Sequence, residues 1–124
     1  MKYVILMHSN PRPWGHPTSD FLPEYQSLPA GERERLGADF DALLQDLSER
    51  GELVGSQALG DPRDARLFRW EGGRRKVTDG PYAETVEHFA GFFLIDVADQ
   101  ARAEELAARF SGPGETVELR PLAG

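Results

Sequence analysis

Residues 89–97 read Phe-Ala-Gly-Phe-Phe-Leu-Ile-Asp-Val, and both sets of alternating positions are apolar: Phe89, Phe93, Ile95 and Val97 on one side, Ala90, Phe92 and Leu94 on the other. Successive side chains of a strand point to opposite faces, so this strand needs cover on both sides and belongs inside a sheet. Length limits what can supply that cover, because 124 residues make a single domain, 1–124, with one core. Two segments carry a helical period. Leu36, Phe40, Leu43, Leu44 and Leu47 paint one face of a helix over 31–50, with Glu32 and Glu34 near its start, Arg50 near its end and Gly51 as its stop. Asp99 caps a second helix with Ala103, Leu106, Ala107 and Phe110 inward, ended by Ser111, Gly112, Pro113 and Gly114.

The remaining strands are short. Residues 3–7 form a continuous apolar run with β-branched members, 53–59 a second strand, and 116–121 alternate Val117 and Leu119 against Glu118 and Arg120. Between the second strand and the central one lies a hairpin, 65–71 and 74–78, joined by Gly72 and Gly73, whose freedom to take positive φ suits a type I′ turn. That turn fixes a register: Arg66 faces Asp79, Phe68 faces Val77, and Trp70 faces Arg75 in cation–π range. Five of the nine prolines fall in 9–29, predicting a long loop with at most one short helix near 20–27. The order β, α, β, hairpin, β, α, β predicts an α+β, ferredoxin-like antiparallel sheet with two helices on one face and a β-hairpin insertion. Two helices cover one face only, so the apolar residues on the other predict a homodimer of facing sheets, a dimeric α+β barrel.

Composition excludes several function classes. Fourteen Lys plus Arg against 21 Asp plus Glu give −7, which argues against nucleic acid and against an anionic membrane surface as partners. No cysteine means no disulfide, thiolate zinc site, iron–sulfur cluster or Cys nucleophile. No apolar run approaches a membrane span and the N-terminus lacks a signal-peptide pattern, so the expectation is a soluble cytoplasmic protein.

The candidate residues cluster around turns. Asp79 opens Asp-Gly-Pro, a turn from which a carboxylate faces a cavity as a general base, pairs with Arg66, or caps the backbone. His8 ends the first strand, a position suited to proton transfer, to which a hydrogen-bonded structural role is the alternative. Asp79 and His8 are the catalytic candidates; Tyr82, Arg66, Trp14, His16 and Glu84 are the expected ligand contacts. His88 reads as an exposed residue or one at a dimer contact. His8 and His16 with Asp79 or Glu84 offer nitrogen and oxygen ligands without an HxxxH, HxH or HExxH spacing, so no metal is expected. Phosphate cradles and a GxSxG elbow are also missing, and no cofactor is expected. Six of the 14 cations fall within 63–76, an island that reads either as a solvated ribbon or as a contact for an acidic partner.

Residues 77–87, Val-Thr-Asp-Gly-Pro-Tyr-Ala-Glu-Thr-Val-Glu, followed by Ala90 to Val97, resemble the signature of DGPF proteins within the YCII-related family, and 112–121 resemble that family's ending. The resemblance implies a dimeric α+β barrel and delivers no activity. It includes proteins encoded beside extracytoplasmic-function sigma factors and enzyme-like members with a His and Asp pair. Here the corresponding regions read Ala30-Gly31-Glu32-Arg33 and Ser111-Gly112-Pro113-Gly114, so that pair is absent; Val86 replaces a usual basic residue and Tyr82 the Phe of the motif. Two functions follow as expectations. One is a small-molecule-binding homodimer with cofactor-independent proton-transfer chemistry of lyase or isomerase type. The other is a non-catalytic accessory protein with a signalling protein partner.

Overall fold

A computed structural model describes residues 1–82 and 87–124. Six strands, β1 (Lys2–Ser9), β2 (Leu53–Ala58), β3 (Arg66–Glu71), β4 (Arg74–Asp79), β5 (His88–Asp96) and β6 (Thr116–Pro121), alternate with α1 (Pro23–Gln26), α2 (Ala30–Glu49) and α3 (Gln100–Phe110). The main sheet is antiparallel in the order β2-β5-β1-β6, while β3 and β4 form a separate two-stranded sheet. The segment with two apolar faces therefore lies in the interior of the sheet, as its pattern requires.

One face of the sheet carries the core. Tyr3, Ile5 and Met7 of β1 alternate inward and pack with Ile95, with Leu43 and Leu47 of α2, and with Ala103, Leu106 and Phe110 of α3. Asp99 caps α3 as its sequence predicts, its carboxylate accepting from the Arg102 amide at 2.9 Å. Arg102 then turns back as a brace: its guanidinium donates to both oxygens of Glu52 at 3.0 and 2.8 Å and also meets Asp46 and Glu105. This ties α3 to the connection between α2 and β2. The Ser9 hydroxyl, at the end of the same inward set, is fully buried without a hydrogen-bond partner among the described residues.

Three expectations are met closely. The hairpin register is the one the two glycines dictate, with Arg66 opposite Asp79, Phe68 opposite Val77 and Trp70 opposite Arg75. Gly72 and Gly73 take φ of 59° and 79°, and the Arg75 guanidinium lies 5.4 Å from the Trp70 ring. Two details differ. The proline-rich loop holds two short helices rather than one: a 3₁₀ turn at Thr18–Phe21 precedes α1, because Pro17 and Pro23 each pre-set φ at the start of a turn. The simple alternation along β5 also breaks. Between Met7 and His8 the register shifts by one residue, so Phe89 stands opposite His8 instead of joining Phe93 and Ile95 on the helix side. Among the described residues no helix is long and apolar enough to cross a membrane.

Candidate functional site

The loop between β1 and α2 folds back over the helix side of the sheet. Two donors fix its near end: Trp14 Nε1 and His16 Nε2 both donate to the Leu59 carbonyl oxygen, at 3.0 and 2.6 Å, and the two rings meet edge to face. Because a carbonyl only accepts, His16 carries its proton on Nε2. The far end is fixed at the turn after α3. There Thr18, itself buried, donates from Oγ1 to Glu115 Oε2 at 3.2 Å, and Glu24 packs over Gly114. Gly114 has φ of 80°, a backbone conformation that favours glycine in this turn.

Beneath this loop lies a cleft of about 870 Å³, within the range of small-molecule sites. Phe40 of α2, Phe93 of β5 and Phe110 of α3 line it as a mutually packed aromatic set, with ring centroids 4.5 to 6.3 Å apart. Polar groups stand at its edges: Ser56 and Gln57 from β2, His16 and Thr18 from the loop, and Glu115 from the turn before β6. Burial pushes the Glu115 carboxyl above the ordinary glutamate range, and the Thr18 hydrogen bond offsets only part of that shift. The folded chain thus holds the Glu115 proton more tightly than the unfolded chain does. Stability supplied by that proton is present at acid pH and is lost as pH rises from the ordinary value through the raised one.

The expected site residues do not converge. Of those among the described residues, His16 alone lines the cleft. Trp14 sits beside it as a loop anchor. His8 points to the opposite face of the sheet, where its Nε2 lies 3.2 Å from Glu118 Oε1 and its ring against Phe89. Arg66 and Asp79 are cross-strand neighbours at the base of the hairpin, both exposed, and no ion pair joins them among the described residues. The glycine that follows has a packing reason: a Cβ on Gly80 would lie 2.8 Å from the Ala65 Cβ, where the Gly80 amide closes the hairpin base on the Ala65 carbonyl. Tyr82 is exposed, with the Arg69 guanidinium 5.7 Å from its ring. Glu84 lies outside the described residues. Glu115 and Thr18 escape a reading of the sequence, since 111–114 signals only a helix stop; the one available signal is a carboxylate placed directly after that turn and before a strand.

Comparison with known proteins identifies a family. The model of the YCII-related domain matches residues 1–121, which takes in all six strands and all three helices. An uncharacterised protein of Rhizobium meliloti (strain 1021), R00369, is 36% identical over 95 residues, covering 74% of this chain and 77% of the relative. On this match across the whole sheet, its helices and the Glu115 turn, the chain belongs to the YCII-related family.

Proposed function

We propose that this chain is a small-molecule-binding protein with cofactor-independent proton-transfer capacity of lyase or isomerase type, acting in the cleft with Glu115 as the proton-exchanging group. The observation that carries the reading is a largely buried carboxyl, held by Thr18, at the polar end of an aromatic cleft. A carboxyl that burial pushes above its ordinary range is shifted in the direction that suits general acid–base chemistry. Phe40, Phe93 and Phe110 suit a flat apolar body, and the charged lining among the described residues, Asp20, Asp39, Asp41 and Glu115 against the single cation Arg109, disfavours an anionic one. In this reading the base expected at Asp79 or His8 is Glu115 instead, because neither of those residues lines the cleft.

In the same proposal the ferredoxin-like chain pairs with a second copy through the open sheet face to give a dimeric α+β barrel. Support comes from what that face exposes: Val4, Leu6, Phe92 and Leu94 are only half-buried, while Phe89 is 41% exposed. Val4 and Leu6 are paired to Leu94 and Phe92 in neighbouring strands, so these side chains make a continuous surface.

A thermal-shift screen of small aromatic and carbonyl compounds tests the ligand reading on the wild type, Glu115→Gln, Thr18→Val, Asp79→Asn and His8→Ala. A compound at 100 times its Kd stabilises the folded state by about 2.7 kcal/mol. The expected result is a compound that stabilises the wild type, Asp79→Asn and His8→Ala alike and loses its effect in Glu115→Gln. Loss confined to Asp79→Asn or His8→Ala would move the site away from the cleft.

A further inference from the structure

The β3–β4 hairpin stands apart from the four-stranded sheet, and of its twelve strand residues only Leu67 is even half-buried. Its register puts Phe68, Val77, Trp70 and Arg75 on one face, together with Arg66 and Asp79. On that face Phe68 is 68%, Trp70 65% and Val77 49% exposed. Single apolar side chains at a surface are ordinary, but three large ones in register on a ribbon form a contiguous patch, and such patches mark contacts with other molecules. Trp and Arg are also the residue types that most often dominate interface energies.

Charge selects the occupant. Residues 66–79 hold five of the 14 cations and two of the 21 carboxylates, which leaves nine cations against nineteen carboxylates in the rest of the chain. A basic arm and a strongly acidic body in one molecule are complementary between copies. Within its own copy the arm uses little of that attraction. Its one ion pair among the described residues, Lys76 with Glu71 at 3.6 Å, is internal to the hairpin. A nucleic acid would meet the arm favourably but would be repelled by the acidic body around it.

We infer that the hairpin is an assembly clasp, whose aromatic face, edged by Arg66 and Arg75, docks on the acidic surface of a second copy of this chain, with Arg69, Arg74 and Lys76 on the ribbon's other face adding to the arm's positive field. The clasp does not depend on the cleft or its ligand. It adds a second, salt-sensitive contact to the pairing of sheet faces proposed above, and it gives a reason for aromatic side chains to stand in solvent on a charged ribbon.

Sedimentation equilibrium of the full chain tests this at low and high salt, with the pairs Phe68→Ser/Trp70→Ser and Arg74→Glu/Arg75→Glu and with Leu6→Glu on the open sheet face. Both arm variants alter exposed residues, so circular dichroism and melting temperature should stay at the wild-type values. The expected result is a wild type that self-associates below about 100 µM, with each arm pair weakening association by about tenfold or more. Salt should weaken the wild type more than Arg74→Glu/Arg75→Glu. A wild type that stays monomeric overturns the clasp, and binding of polyglutamate or an oligonucleotide by that monomer would assign the arm to another occupant. Arm variants that associate as the wild type does, while Leu6→Glu does not, overturn the clasp and leave the sheet pairing standing. The opposite pattern keeps the clasp and removes the sheet pairing.

Discussion

Phe110→Ala is expected to destabilise the fold by about 3–5 kcal/mol, the cost of truncating a fully buried aromatic ring. Phe110 is 2% exposed, ends α3, and packs against Phe93 at 4.5 Å and Phe40 at 5.8 Å between ring centroids. It therefore joins three elements at once, and neither a helix end nor a central strand can collapse easily into the space it leaves. Domains of this size have about 5–15 kcal/mol in total, so the variant should lose about a fifth or more of its stability. Urea unfolding provides the check: the midpoint should fall with an unchanged slope. Phe68→Ala is the contrast. That side chain is 68% exposed on the hairpin, and its loss should change stability by less than about 0.5 kcal/mol. Equal effects for the two would contradict the assignment of the core.

Arg102→Ala is the second large effect, expected at about 1–3 kcal/mol from loss of a charge-assisted pair of hydrogen bonds. The side chain is 17% exposed and its partner Glu52 13%, so solvent replaces the lost contacts poorly. Glu52 would lose its hydrogen-bonded cation and keep only the more distant Arg50, and the link between α3 and the α2–β2 connection would open. Arg102→Lys should recover only part of the loss, because an ammonium cannot reproduce the fork that meets both Glu52 oxygens. The hydrogen bond from Arg102 holds the Glu52 carboxyl below the usual carboxylate range. For an acid with a depressed folded pKa, the stabilisation is present above the unfolded value and is lost as pH falls through the folded one. Denaturation at a series of pH values should show the gap between wild type and Arg102→Ala close on acidification. A gap that holds constant into strong acid would show that the brace acts by packing alone.

Much of the fold is legible in the sequence because its signals are local and periodic. The hairpin register follows from two glycines and a period of two, and α2 and α3 from apolar spacing with an Asp99 cap on the second. The interior placement of β5 follows from its two apolar faces. What escapes is non-periodic. The register shift beside His8 has no signature in the pattern, because one extra residue inside an apolar run leaves the run apolar; it alone decides that Phe89 faces the open side. The site is harder still to read. Its walls come from the loop at His16 and Thr18, from Phe40, from Phe93 and from Glu115, residues spread over a hundred positions that only the folded sheet brings together. The DGP turn draws attention as a motif, yet Gly80 is explained by its close approach to Ala65, and Asp79 stands in solvent. Glu115, which no catalytic motif singles out, is the carboxyl that burial pushes upward.

Glu115 holds its proton beyond the ordinary range inside the cleft, and a carbon-13 NMR titration of its side-chain carboxyl tests this. The expected result is a pKa above that of the exposed glutamates, falling back toward theirs when a cleft-opening substitution such as Phe40→Ala admits water. A Glu115 that titrates with the exposed glutamates in the wild type would remove the proton-transfer reading of this site.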